Sequence, residues 1–172
     1  MTAFVALLRA VNVGGTGKLP MSELAAMCKA AGFAKVKTYI ASGNVVFEAG
    51  LSEAKVKAEL EARLADYAGK PVGVAVRTAK EMAQVLATNP FPGAPGARAV
   101  VIFLDTAPPK DAADKASGQA DDEHIALGAR EIYVRYGEAG QGNSKLRIPA
   151  AKAGTARNMN TVAKLAEMAA EL

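Results

Sequence analysis

Three short strings set polar groups where regular elements would end. They are "SGN" (Ser42, Gly43, Asn44), "NSK" (Asn143, Ser144, Lys145) and "ARN" (Ala156, Arg157, Asn158). Arg157 carries a planar fork of donors suited to carboxylate or phosphate, and Lys145 carries a point charge. Asn44 and Asn158 both donate and accept, so they can orient a ligand as well as attract it. The same residue types also do ordinary capping and turn chemistry, and that alternative stays open. A fourth candidate is the glycine-rich loop from Asn12 to Lys18. A phosphate-binding P-loop ending at Gly17-Lys18 would need glycine at position 12 and serine or threonine at position 19, where Asn12 and Leu19 stand. A dinucleotide fingerprint starting at Gly15 would need glycine or alanine where Pro20 stands. The loop is therefore a strand-to-helix connection. Its exposed amides, Lys18 and the helix start after it still suit an anion. The candidate ligand-binding residues are Asn12, Lys18, Ser42, Asn44, Ser144, Lys145, Arg157 and Asn158.

Nucleophilic and metal chemistry have little to build on. The chain has one histidine, His124, and one cysteine, Cys28, and Cys28 falls on the apolar stripe of a helix. A zinc site would need further ligands from carboxylates, and the acidic run before His124 reads as a solvated hairpin edge. Ser52 and Lys55 have the Ser-x-x-Lys spacing, which here reads as a helix cap plus a surface lysine. Ser144 and Lys145 are adjacent and would not face each other on a helix. No metal and no cofactor is expected, and the choice between enzyme and binding protein stays open.

These residues need elements to place them. "AFVALLRAVN" is apolar and ends at glycines, which predicts a strand. Met21, Leu24, Cys28 and Ala31 keep helical spacing between Pro20 and Gly32. "KVKTYIA" and "NVVFE" alternate around "SGN", a hairpin. Leu51, Val56, Leu60, Leu64 and Tyr67 predict a helix capped by Ser52 and stopped by Gly69. "VGVAVRT" is a fourth strand. The order βαββαβ over residues 3–78 is that of a ferredoxin-like split βαβ. Beyond it come a helix at "AKEMAQVLATN", a turn-rich loop, a strand at "ARAVVIFLD", a helix starting at "PPKDAADKASG", and a hairpin of "EHIALGA" and "EIYVRY". A short helix at "SKLRIPAAKAG" follows, then a final helix carrying Met159, Val162, Leu165, Ala169 and Leu172. Ser144 and Arg157–Asn158 are expected at helix starts, where amides are free. Alternation places Arg9, Tyr39 and Arg77 on one sheet face, opposite the helices. That face lacks the paired aromatics on which RNA-recognition sheets stack bases, and packing against the second half is its alternative role.

Half of the 172 residues are apolar, which allows a sizeable core. The net charge of +4 allows anionic partners without requiring them. A lone cysteine excludes an internal disulfide and points to a reducing, cytoplasmic compartment. No run reaches the roughly 20 apolar residues of a membrane span, and the N-terminus reads as a strand, not a signal peptide.

Five strings together resemble the bacterial domain-of-unknown-function family 1697. They are "FVALLRAVNVGGTGKLPMSEL", "GFAKVKTYIASGNVVFE", "VRTAKEMAQVLATNPF", "NSKL" and "TARNMNTVAKL", in family order from the first strand to the last helix. The resemblance implies two ferredoxin-like (α–β plait) subdomains and no established activity, substrate or cofactor. The chain departs from the usual family residues at Ala10 for glycine, Ala41 for glutamine, Ala156 for threonine and Met159 for tryptophan.

The reading is α+β, with a ferredoxin-like subdomain over 1–78 and a second α+β subdomain over 79–172. The function expected is binding of an anionic, phosphate- or nucleotide-bearing ligand, or a nucleic acid phosphate, by "SGN" and "ARN" at the junction of the two halves. The alternatives are an enzyme acting on a phosphorylated or carboxylated metabolite, and an oligomerising structural protein whose sheets pair across edges.

Overall fold

The computed structural model describes residues 1–10 and 18–172. The chain is α+β, with two antiparallel four-stranded sheets and four α-helices among the described residues. It divides into two units: Met1–Gln84 with Lys164–Leu172, and Val85–Ala163. Residues 12–17 of the glycine-rich loop expected to hold an anion, Asn12 among them, lie outside the described residues.

The first sheet contains β1 (Thr2–Leu8), β2 (Ala34–Thr38), β3 (Asn44–Ala49) and β4 (Val74–Thr78), in the order β2-β3-β1-β4. β1 is central, antiparallel to β3 (Val5 opposite Val46) and to β4 (Val5 opposite Arg77). Strand alternation sends Phe4, Ala6, Leu8, Val45, Phe47, Val74 and Val76 to one face. Two helices supply the rest of that core: α1 (Met21–Ala30) with Leu24 and Cys28, and α2 (Glu53–Ala68) with Val56, Leu60 and Leu64. The ring of Phe47 stacks on Phe33, with centroids 4.4 Å apart.

Local chemistry explains why α2 forms where it does. Ser52 Oγ accepts the Lys55 amide at its start, and Gly69 ends it at φ 69°, a left-handed conformation that glycine takes without strain. One turn of α2 also fixes the strand it packs on. Lys57 Nζ donates to the Val74 carbonyl (2.7 Å), and Glu61 Oε2 accepts the Val74 amide (3.1 Å). Lys57 and Glu61 themselves pair at 3.0 Å, so both edge groups of Val74 are satisfied by one ion pair. β2 stops earlier than alternation suggests, at Thr38. Ile40 takes φ 49°, a left-handed conformation that a β-branched residue adopts at a cost, and it breaks the extended run.

The second sheet contains β5 (Ala99–Phe103), β6 (His124–Leu127), β7 (Glu131–Arg135) and β8 (Thr155–Asn158), in the order β6-β7-β5-β8. Its strand pairing repeats that of the first sheet, with β5 between β7 and β8. The core face carries Val100, Ile102, Leu104, Ile132, Val134 and Tyr136. Gly154 enters β8 with no room for a side chain: an added Cβ would sit 2.7 Å from Ile102 Cγ2 and from the Phe103 carbonyl.

Two helices expected in this half do not form. Residues 109–116 are a run of turns, with Ala112 N–H on the Pro109 carbonyl and Lys115 N–H on the Asp111 carbonyl. Ser117 then bridges Arg147 in both directions, so the chain is pulled straight before a stable helix can propagate. The second, at "SKLRIPAAKAG", is prevented by Pro149. The residue before a proline is pushed toward extended geometry, and Ile148 sits at φ −119°, ψ 106°. Only Pro149–Ala153 coils, as a 3-10 turn. The helices that do form in the second half are α3 (Ala79–Ala87) and α4 (Met159–Ala170). Each follows a sheet's edge strand with no intervening loop.

Candidate functional site

β4 and β8 end alike. Arg77 pairs with Val5 and Arg157 with Val101, so each arginine holds the same register position of its sheet. Both side chains are buried, Arg77 at 1% and Arg157 at 8% exposure. In each, Nη1 donates to the carbonyl of the preceding residue, Val76 at 3.0 Å and Ala156 at 2.9 Å. Arg157 Nη1 also donates to Thr155 Oγ1 at 2.8 Å. Burial strips water from the Arg157 guanidinium and pulls its pKa down to about 10, so it still carries its full charge at neutral pH.

The next residue caps the helix in both units. Thr78 Oγ1 accepts the Glu81 amide and Glu81 Oε1 accepts the Thr78 amide, a reciprocal capping box. Asn158 Oδ1 accepts the Thr161 amide at 3.0 Å, and the Met159 amide donates to the Gly96 carbonyl at 3.1 Å. This corrects the expectation for "ARN". Arg157 is a strand residue, not a helix start, because its backbone completes the ladder with β5. Two amides of the first turn of α4 are already occupied, that of Thr161 by the Asn158 side chain and that of Met159 by the Gly96 carbonyl.

"NSK" is also placed differently. Asn143 ends a 3-10 turn (Gln141–Asn143), and Ser144 follows it in extended conformation. Ser144 Oγ donates to Glu123 Oε2 at 2.5 Å and accepts the Leu146 amide at 3.1 Å. Glu123 is buried, and its other oxygen accepts the Ala120 amide at 2.8 Å. The serine therefore ties the segment before β8 to the segment before β6. Lys145 is exposed beside it.

In the first unit, Asn44 is fully buried and works within its own hairpin. Its amide nitrogen donates to the Tyr39 carbonyl (2.9 Å) and to Ser42 Oγ (2.8 Å), while its carbonyl accepts the Tyr39 amide. Gly43 supplies the φ of 88° that closes this loop. Lys18 is exposed before α1. The structure thus gathers Arg157 and Asn158 at one strand-to-helix junction and Ser42 with Asn44 in one turn. Lys18, Ser42 and Asn44 belong to the first unit and Ser144, Lys145, Arg157 and Asn158 to the second.

The face compared with RNA-recognition sheets is largely buried, although Arg9 at its end is exposed. Val5, Leu7, Asn44, Val46, Ala75 and Arg77 are all buried, and Tyr39 lies past the end of β2. Cys28 is an apolar filler whose thiol burial pushes up to about 12, far from thiolate chemistry.

Three features escaped the residue-by-residue reading. Glu123, read as part of a solvated acidic run, is a buried acceptor. Arg77, placed by alternation on the sheet face opposite the helices, is buried. Residues 139–166 contain Lys145, Arg147, Lys152, Arg157 and Lys164 and no carboxylate, in a chain with 17 acidic residues. A simple scan for the spacing of acidic residues would have found this last feature.

Comparison with known proteins agrees with the fold and adds no activity. No curated protein matches the chain. A solved structure, a conserved bacterial protein from Streptococcus pneumoniae, superposes with a TM-score of 0.78 at 24% identity, covering 98% of both chains. At that identity the likeness speaks for the fold alone. The model of the family described as "Protein of unknown function (DUF1697)" matches residues 1–133, from β1 through the middle of β7, and the chain belongs to that family.

Proposed function

We propose that the chain binds an anionic ligand bearing phosphate, such as a nucleotide, through residues 139–158 of the second unit, in the cytoplasm. The observation that carries this reading is the run of cations without a carboxylate, ending in a desolvated guanidinium one residue before the cap of α4. Lys145 and Arg147 stand exposed on it and supply attraction. Arg157, which shares a sheet face with Val101, adds a buried positive charge that is less screened than a surface cation's. The positive end of α4 adds a favourable dipole for an anion. The fold belongs to the same proposal: the order β2-β3-β1-β4, with α1 and α2 over one face, supports a ferredoxin-like plait in the first unit.

Calorimetric titration of the whole chain with pyrophosphate and with adenosine triphosphate tests the reading. Binding should weaken with added salt, as for any site built on cations. The double variant Lys145→Ala/Arg147→Ala should lose about tenfold in affinity, on the order of 1.4 kcal/mol. No heat and no saturation at millimolar anion, or an unchanged affinity in the double variant, would remove the reading.

A second reading, an enzyme acting on a phosphorylated or carboxylated metabolite, has one observation in its favour. Ser144 Oγ is held 2.5 Å from a buried carboxylate that can accept its proton. Turnover lost in Ser144→Ala with anion binding retained would favour it over simple binding.

A further inference from the structure

We infer that the groove between α1 and α2 binds a small organic ammonium ion, its apolar body against Met27 and Tyr67 and its charge held by Glu23 and Asp66. On their outer side the two helices leave a cavity of about 380 Å³. Ala26 and Ala30, one turn apart on α1, make the room with their short side chains. Met27 lines the cavity and packs on the core beneath it. Tyr67 lines it from α2, and is 48% exposed. A thioether and an aromatic face together suit the apolar body of an organic cation, and the ring face also attracts its charge.

The sign of the occupant follows from how the ions around the groove are paired. Arg63 lines the groove too, but its guanidinium is engaged. Its Nε donates to Glu59 Oε1 at 2.8 Å and its Nη2 to the Ala30 carbonyl at 3.4 Å. Lys57, one turn before Glu61 on α2, is paired with it. Glu23 and Asp66 are exposed, and among the described residues neither carboxylate has an ion pair or a hydrogen-bond partner.

Asp66 also stands where its charge is opposed. It lies in the last turn of α2, at the negative end of the helix, and that turn holds no basic residue to offset it. The chain carries a net charge of +4, so this carboxylate is not part of a generally acidic molecule. Two unpaired carboxylates, the end of a helix dipole and the face of an aromatic ring all favour one bound positive charge, and all repel an anion. The groove follows α1 from Glu23 to Ala30, about 10 Å at 1.5 Å per residue. That length holds one small molecule, so the occupant is a free amine and not a docked peptide.

Titration of the isotope-labelled whole chain with phenethylammonium chloride at constant ionic strength, read in nitrogen–proton correlation spectra, tests the inference. Saturable shifts should concentrate on the amides of Glu23, Met27, Asp66 and Tyr67, with a dissociation constant on the order of 1 mM. Phenethyl alcohol, which lacks the charge, and ammonium chloride, which lacks the ring, should each bind at least about tenfold more weakly. Asp66→Asn and Tyr67→Ala, each shown first to melt cooperatively, should each weaken the amine at least about fivefold. With no amine present, Asp66→Asn should melt about 1–3 °C higher, because it removes the charge that the end of α2 opposes. No saturation up to roughly 20 mM amine, equal affinity for phenethyl alcohol, equal affinity in either variant, or a melting temperature that Asp66→Asn fails to raise would overturn the inference.

Discussion

In the first unit, the sheet face of Phe4, Ala6, Leu8, Val45, Phe47, Val74 and Val76 lies against α1 and α2, whose apolar stripes supply fully buried leucines. In the second unit, the matching face of Val100, Ile102, Ile132 and Val134 is covered by Leu146, Ile148, Ala150 and Ala151, from a segment that holds only a 3-10 turn. The strand order and the antiparallel pairing are the same in both. Pairing register and alternation therefore suffice to specify the sheet, and the cover over it is replaceable. A cover without an α-helix leaves its own residues half exposed. That freedom fits a segment whose surface can carry Lys145 and Arg147.

The largest expected contrast sets the two covers against each other. Leu60→Ala removes a fully buried side chain between α2 and the first sheet and should cost about 3–5 kcal/mol. Ile148→Ala removes a half-buried one and should cost about 1–2 kcal/mol, since only part of its surface leaves water on folding. Urea denaturation of the two variants measures both. Equal costs would mean that the second cover is packed as tightly as the first.

The paired arginines sharpen the comparison next. Each completes hydrogen bonds from a buried position, so Arg77→Ala and Arg157→Ala should each lose on the order of 2 kcal/mol or more. Arg157→Met, which keeps volume and apolar stem, should lose less. A melt unchanged in Arg157→Ala would show a surface group instead.

The smallest effect concerns alkaline pH. The buried Cys28 thiol is held protonated up to about 12, whereas the unfolded chain ionises it near 9.0. A folded pKa raised in this way contributes stability below pH 9.0 that is lost as pH rises toward 12. The tyrosines Tyr133 and Tyr136, also raised chiefly by burial, act in the same direction. The difference in melting temperature between wild type and Cys28→Ala should therefore shrink as pH climbs from 9 to 11. A constant difference would contradict the burial of the thiol.

Much of the first unit was legible because its signals are local. Ser52 and Gly69 mark the ends of α2, and the spacing of Val56, Leu60 and Leu64 marks its buried stripe. The central place of β1 followed from the βαββαβ order. The second unit was less legible because its decisive interactions are long-range. Nothing near Ser117 announces its pairing with Arg147, and nothing near Ser144 announces Glu123. Pro149 was a local warning against the helix at "SKLRIPAAKAG", and the apolar spacing around it masked the warning. The candidate site was legible in residue types and not in roles. Asn44 and Asn158 are spent on a turn and a cap, and the burial of Arg157 depends on what lies over its sheet face, which alternation alone does not report.

The binding proposal is tested most directly by a titration of isotope-labelled protein with inorganic pyrophosphate, followed residue by residue in nitrogen–proton correlation spectra. Saturable shifts should concentrate on the backbone and side-chain signals of Lys145, Arg147, Arg157 and Asn158, and should diminish with added salt. Shifts that fail to saturate, or that saturate only at signals outside residues 139–158, would contradict it.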